Sequence, residues 1–202
     1  MNTIEKLINT ISERIDTFRQ NLINNQKKKL REQLAKRRNA MTAEQVMAMS
    51  TAIWDKIEQS RLFQRAETIM VYYPKDNEVD TRILLSRWMG KKRFVLPVVV
   101  DKDIELHEYL GEDHLRKGKY GIMEPDSPVF TGKIDLLIVP GLLYDTHFNR
   151  VGRGGGYYDR FLVYYHVPKF GVCYDFQLVK KAPTLGYDKR VTRIYTDKRR
   201  LG

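Results

Sequence analysis

The sequence is poor in the residues on which several kinds of protein depend. Its one cysteine, Cys173, cannot form an intrachain disulfide or a thiolate zinc cluster, and we expect a small buried side chain in a reducing compartment. The four histidines are scattered, and no pair has the spacing of metal ligands. There is no run of about 18 apolar residues and no basic-then-apolar order at the N-terminus. These absences predict a cytoplasmic protein that does not enter a membrane.

Acidic residues are too few to balance the basic ones. The 202 residues include 36 Lys and Arg against 25 Asp and Glu, so the formal net charge is +11. Such an excess indicates an anionic partner, which could be nucleic acid, a membrane surface or a small polyanion such as a nucleotide phosphate. Composition alone does not distinguish the three. The hydrophobic content of 42% is enough for one sizeable core.

The N-terminal part has the periodicity of an amphipathic helix. Apolar side chains recur three or four residues apart, which predicts a stripe that is packed or paired and continues through Leu30 and Leu34. Its first members are Ile4, Leu7, Ile8, Ile11, Ile15, Phe18, Leu22 and Ile23. Thr42 and Gln45 have the spacing of a capping box and predict a second helix over residues 43–59.

Further along the chain, the pattern changes to short apolar runs that alternate with helical spacing. The runs are β-branched or aromatic, are bounded by Pro, Gly and Asp, and predict buried strands over residues 68–74, 93–100, 134–141 and 169–175. A run at residues 104–110 alternates like a half-exposed edge strand. We therefore predict an α/β fold, with a layered, mainly parallel β-sheet flanked by helices and preceded by N-terminal helices.

The segment NRVGRGGGYYDRF, residues 149–161, follows the third predicted strand. Its glycine loop, residues 152–156, would allow backbone N–H groups to approach an anion, while Arg150, Arg153 and Arg160 add positive charge. It lacks the lysine of a Walker loop, and Tyr157 stands where a dinucleotide fingerprint has its third glycine. A flexible turn remains the alternative. Asp159 is either an acidic residue early in a helix or a magnesium ligand.

Several separated segments together resemble the 5-formyltetrahydrofolate cyclo-ligase family. The most specific is VPGLLYDTHFNRVGRGGGYYDRFL, and KKKLR, YYPKDNEVDT, GIMEPD and TLGYDKRV agree with the family pattern in the same order. Val151 stands where we expect leucine, and the first 26 residues lie outside the resemblance. The expected domains are thus a helical extension, residues 1–26, and a single α/β domain, residues 27–202.

The resemblance implies an ATP- and Mg²⁺-dependent closure of 5-formyltetrahydrofolate to 5,10-methenyltetrahydrofolate, with release of ADP and phosphate. The ATP-binding residues that it implies are Lys27, Lys28, Lys29, Leu30, Arg31, Arg150, Val151, Gly152, Arg153, Gly154, Gly155, Gly156, Tyr157 and Tyr158. Arg153 and Asp159 would be catalytic, and Asp159 and Asp188 would hold the metal. Tyr73, Glu78 and Tyr157 would bind the folate. Glu124 would shape the edge of the pocket or belong to a turn that precedes a helix.

Two other functions remain open at this point. A nucleic-acid-binding protein would account for the basic helix KKKLREQLAKRR, although no helix-turn-helix, zinc knuckle or RNP pattern accompanies the charge. Another ATP-dependent phosphoryl-transfer enzyme could use the same scaffold. We expect a small-molecule folate substrate, no nucleic acid, no membrane and a monomeric chain.

Overall fold

The computed structural model describes residues 3–202. Met1, Asn2 and the side chain of Ile4, which belong to the predicted extension and its stripe, lie outside the described part. The helices are α1 (Thr3–Asn39), α2 (Ala43–Glu58), α3 (Arg61–Arg65), α4 (Arg82–Trp88) and α5 (Tyr157–Phe161). The strands are β1 (Thr68–Met70), β2 (Arg93–Val100), β3 (Asp103–Glu108), β4 (Leu115–Lys117), β5 (Met123–Pro125), β6 (Leu136–Pro140), β7 (Leu143–Asp145), β8 (Arg150–Val151), β9 (Lys169–Val172), β10 (Leu178–Val179), β11 (Arg193–Tyr195) and β12 (Arg200–Leu201).

A seven-stranded sheet in the order β12-β11-β9-β6-β1-β2-β3 forms the centre of the molecule. Its five inner strands run parallel, while β3 and β12 pair antiparallel at the two edges. The predicted α/β class and mainly parallel sheet are therefore confirmed. The segment predicted as a half-exposed edge strand is β3, and the four predicted buried runs contain β1, β2, β6 and β9.

Helices cover both faces of the sheet because successive residues of a strand point to opposite sides. In β6, Leu136 and Ile138 join the core under α2, α3 and α4, whereas Leu137 and Val139 join the core under α5. On the first face, Trp54 is fully buried and its Nε1 donates to the carbonyl of Asp80 at 2.7 Å. The predicted capping box of α2 is present, with Thr42 and Gln45 hydrogen-bonded to each other.

The predicted helical stripe lies on two different faces of α1. The side chains of α1 that touch the α/β domain include Lys27, Leu30, Leu34 and Arg38, all buried or half-buried. The stripe from Leu7 to Leu22 is exposed. At about 100° per residue, the centres of the two faces are about 120° apart. The expectation of one continuous stripe was therefore wrong, because the heptad-like spacing before Leu22 does not continue into the domain-facing residues.

The connection between β6 and the glycine loop is longer than predicted. A hairpin of β7 and β8 lies between them, and the loop follows β8. The helix after the loop is also short, since α5 ends at Phe161 and a 3₁₀ turn, Leu162–Tyr164, follows it. The hairpin turn is held by polar contacts of Asp145, which the apolar pattern does not reveal.

Candidate active site

The candidate site lies at the carboxyl edge of the parallel strands, where α/β sheets commonly bind ligands. Glu78 follows β1, the glycine loop follows the hairpin after β6, and Asp188 lies in the segment after β9. Since β1, β6 and β9 are neighbours in the sheet, segments distant in sequence meet at one edge. The sites predicted from separate motifs are thus brought together by the sheet order.

A buried carboxylate organises the hairpin that carries the loop. Asp145 is fully buried and accepts hydrogen bonds from the backbone N–H groups of His147, Asn149 and Ala182 at 2.8 to 2.9 Å, and from Asn149 Nδ2 at 2.9 Å. Burial opposes ionisation, but these donors outweigh it and lower the pKa of Asp145. The hairpin is therefore held by an ionised side chain.

Two glycines of the loop have backbone conformations that other residues rarely adopt. Gly154 has φ of 108°, and Gly156, which precedes α5, has φ of 69°. The loop is exposed along Arg153, Gly154 and Gly155. It can therefore present backbone N–H groups to a ligand without a covering side chain.

The basic end of α1 lies against this loop. Arg31 donates from Nε to the carbonyl of Gly152 at 2.8 Å. Lys27 Nζ lies 2.5 Å from Asp188 Oδ2, and both side chains are buried. Lys28 and Lys29 are exposed, while Leu30 packs into a small apolar cluster with Val151. Because Lys27 is paired with Asp188 and Arg31 contacts the loop, this geometry gives less support to the nucleic-acid alternative.

Asp159 and Arg150 form a second ion pair beneath the loop. Arg150 Nη2 donates to Asp159 Oδ1 at 2.9 Å, and the Arg150 side chain is buried. The same oxygen accepts from the backbone N–H of Lys189 at 3.2 Å, which connects α5 to the segment of Asp188. The Arg150 guanidinium also lies 5.4 Å from the ring of the half-buried Tyr158, whose pKa is raised by desolvation.

Glu78 lies between two arginines. Arg153 Nη2 is 2.8 Å from Glu78 Oε1, and Arg38 Nη1 is 3.6 Å from the same oxygen. Arg38 is buried, and its Nε has no hydrogen-bond partner among the described residues. The other carboxylate oxygen accepts from the backbone N–H of Lys75 at 3.1 Å. An ion pair thus connects the loop directly to the segment after β1.

Tyrosines line the approach from the β4–β5 side. The hydroxyls of Tyr157 and Tyr120 are 2.8 Å apart, and Lys75 Nζ donates to the Tyr120 carbonyl. Tyr73 contacts a different residue, because its hydroxyl donates to Glu112 at 2.7 Å. Desolvation together with this bond raises the pKa of Tyr73. Glu124 is buried on β5.

Sequence patterns did not assign three residues of this site. Arg38 and Tyr120 lie outside the family segments, and Lys75 lies inside YYPKDNEVDT without a role predicted for it. Only the fold brings Arg38 to Glu78 and Tyr120 to Tyr157, whereas Lys75 contacts Glu78 within one local turn. Tyr120 has a positive φ of 62°, which is unusual for a residue other than glycine. The string KYGIM, in which a glycine follows the tyrosine, indicates a turn but not its contact.

Among residues 3–202, no group of three or more His, Cys, Asp or Glu side chains is arranged to hold a metal ion. Asp159 and Asp188 each use one oxygen for an ion pair, and the other oxygen of each has no hydrogen-bond partner within the described chain. Two such oxygens suit a hard cation that takes its remaining ligands from water or phosphate.

No helix in the described part is both long and apolar enough to cross a membrane.

Comparisons with known proteins find similarity over most of the chain. The model of the 5-formyltetrahydrofolate cyclo-ligase family matches residues 23–197. The chain is 29% identical over 174 residues to the 5-formyltetrahydrofolate cyclo-ligase of Escherichia coli (strain K12), covering 81% of this chain and 96% of that one. It is 32% identical over 136 residues to the Haemophilus influenzae enzyme of the same name, covering 62% and 73%.

A solved structure is similar as well. The 5,10-methenyltetrahydrofolate synthetase of Aquifex aeolicus superposes with a TM-score of 0.79 at 29% identity, over 87% of this chain and 91% of that one. The match of the family model covers most of the sequence and includes every segment on which the resemblance was based. The chain belongs to the 5-formyltetrahydrofolate cyclo-ligase family.

Proposed function

We propose that this protein uses ATP and Mg²⁺ to cyclise 5-formyltetrahydrofolate to 5,10-methenyltetrahydrofolate, with ADP and phosphate as the other products. The observation that carries the proposal is the position of the glycine loop. Arg31 of α1 donates to the loop at Gly152, and Glu78 pairs with Arg153 of the loop, so a cationic and an acidic side chain both contact it. A phosphate subsite next to a subsite for a ring that donates N–H groups is what this reaction requires.

The reaction needs activation because a formamide oxygen is a poor leaving group. The γ-phosphoryl group moves from ATP to the formyl oxygen, so a P–O bond to ADP breaks and a P–O bond to the formyl group forms. N10 then attacks the formyl carbon and loses its proton. The C–O bond breaks, and phosphate leaves with the former formyl oxygen. Such a transfer depends on positioning and charge neutralisation more than on covalent help from the protein.

The residues divide between the two substrates. We assign ATP to the segment of residues 27–31 and to residues 150–158, with Arg153 beside the phosphoryl group that is transferred. The folate would contact Tyr73, Glu78 and Tyr157. A carboxylate accepts hydrogen bonds, so Glu78 suits the amino and ring N–H groups of the pterin. The Arg153–Glu78 pair supports this division, because binding of both substrates would give each charged group a new partner.

The metal assignment concerns Asp159 and Asp188. Each carboxylate has an oxygen without a partner among residues 3–202, and Arg150 and Lys27 hold the opposite oxygens. When bound, Mg²⁺ would neutralise charge on the phosphate oxygens. The contribution of the protein itself is to fix the position of both carboxylates through the ion pairs with Arg150 and Lys27.

The test follows two products in one assay. With ATP, MgCl₂ and 5-formyltetrahydrofolate, we expect the absorbance of the conjugated methenyl product and equimolar ADP. 5-Methyltetrahydrofolate is the matched control, because it has no formyl oxygen to accept phosphate. ADP formation without any folate, or binding of ATP without a methenyl product, would contradict the proposal and favour another phosphoryl-transfer enzyme.

A further inference from the structure

The first half of α1 exposes an apolar stripe that no described residue covers. Ile8, Ile11, Ile15, Phe18 and Leu22 are between 46% and 65% exposed. They follow one another at spacings of three, four, three and four residues, which is the a and d pattern of a coiled coil. We call these five residues the heptad stripe.

The α/β domain of the same chain cannot cover the heptad stripe. The domain packs against the face of α1 that carries Lys27, Leu34 and Arg38, about 120° around the helix. The exposed half also contains residues with low helix propensity, including Asn9, Thr17, Asn21 and Asn24. An isolated helix of about 20 such residues is marginal in water, so burial of the stripe would stabilise it.

We propose that the heptad stripe pairs with the same stripe of a second copy, as an antiparallel coiled coil. In the register that aligns the two stripes, a and d positions face each other. Ile11 then packs against Ile15 of the second copy, and Ile8 packs against Phe18. The pairing is symmetric, so each chain uses the same surface. The dimer departs from the monomeric chain expected from the sequence, because only the fold shows that the stripe is uncovered.

The charges beside the stripe select the antiparallel orientation. In a parallel pair, Arg14 of each copy would lie beside Arg19 of the other, which gives two repulsive contacts. In the antiparallel register, Arg19 of each copy approaches Glu5 of the other, and one contact between the two Arg14 side chains remains near the two-fold axis. Arg14 and Arg19 are both exposed in the chain. Opposite charges therefore favour the antiparallel pair.

The size of the proposed helix–helix interface determines how tightly the dimer should associate. About 20 residues of helix span about 30 Å, which is small for a specific interface. We therefore expect reversible dimers that form in the micromolar range. The α/β domains would lie at opposite ends of the helix pair, because each domain packs on its own α1 from Lys27 onward. Catalysis would then proceed independently in each chain.

Sedimentation velocity of the full chain between about 1 and 200 µM tests the proposal. The parent protein should change from monomer to dimer, and Ile15→Glu should remain monomeric, with at least about a tenfold weaker association. Gln20→Glu is the matched control, because it adds the same charge on the opposite side of α1. A thermal unfolding curve for each variant excludes a folding defect. A parent that is monomeric at 200 µM, or a dimer unaffected by Ile15→Glu, overturns the proposal.

Arg19→Glu tests the orientation. In the antiparallel pair, this substitution brings a second carboxylate close to Glu5 of the other copy and weakens the dimer, and the exchange Glu5→Arg with Arg19→Glu restores it. A stronger dimer for Arg19→Glu alone would indicate parallel helices and overturn the antiparallel arrangement.

Vesicles of anionic phospholipid provide the last comparison. If the monomeric parent binds them and Ile15→Glu does not, the stripe contacts a lipid surface instead of a second copy, and the proposal is overturned.

Discussion

Arg153 and Glu78 form an ion pair, with 2.8 Å between Nη2 and Oε1, although they are 75 residues apart in the sequence. Arg153 belongs to the glycine loop, and Glu78 belongs to the segment after β1. In the proposed reaction they contact different substrates. In the proposed division of the site, this pair marks the boundary between the two subsites.

We expect Glu78→Gln to raise the KM for 5-formyltetrahydrofolate by about tenfold or more, because a neutral amide accepts hydrogen bonds from a pterin less strongly. The KM for ATP should change by less than about threefold. Asp76→Asn is the control, since Asp76 also lies near Arg153, at 3.6 Å, but is more exposed. Steady-state kinetics with each substrate varied in turn would measure both constants. Equal increases in the two constants would contradict the separation of the subsites.

For Asp159→Asn, we expect at least about a hundredfold lower turnover and a higher magnesium requirement. The structure adds an effect on stability, because Arg150 is buried and would lose its charged partner. We therefore expect the free energy of unfolding to fall by about 1–3 kcal/mol. Assays over a range of MgCl₂ concentrations and denaturant unfolding would measure the two effects. Normal turnover at the same MgCl₂ concentration would remove the metal role of Asp159.

A double-mutant cycle can measure how much the buried ion pair of Lys27 and Asp188 stabilises the fold, independently of any effect on catalysis. Lys27→Met and Asp188→Asn should each reduce stability by about 3 kcal/mol, since each leaves one buried group without its ionic partner. The double variant should lose less than the sum of the two. If Asp188 also serves as a metal ligand, only the variants at Asp188 should require more magnesium. Additive losses of stability would show that the two residues do not interact.

Acid should act on the hairpin through Asp145. Its folded-state pKa is lowered, so its stabilising contribution is full above the unfolded pKa of about 3.9 and is lost as the pH falls through the lower folded value. We expect Asp145→Asn to destabilise the protein at pH 7 and to weaken the dependence of stability on pH below about 4. Denaturant unfolding between about pH 2.5 and 7 would measure this, with the exposed Asp113→Asn as the control. An unchanged acid dependence would contradict the role of Asp145.

The sequence was sufficient for the elements whose pattern is local. Apolar runs located β1, β2, β6 and β9, and the Thr42–Gln45 capping box located the start of α2, because both depend on neighbours within a few residues. The buried position of Cys173 was predicted correctly as well. The family was predicted correctly from the segment of residues 139–162, whose glycine loop is specific, and from the order of the other matching segments.

The tertiary structure decided what depends on residues far apart in the chain. The sequence did not predict that Arg38 reaches Glu78, or that Lys27 is buried against Asp188, because such partners are chosen by the order of the strands. It also could not show that the stripe before Leu22 faces away from the domain, because periodicity gives the spacing of side chains and not what covers them. Local chemistry therefore determined the elements and the loop, whereas packing across the sheet decided which charges meet and which apolar face remains exposed.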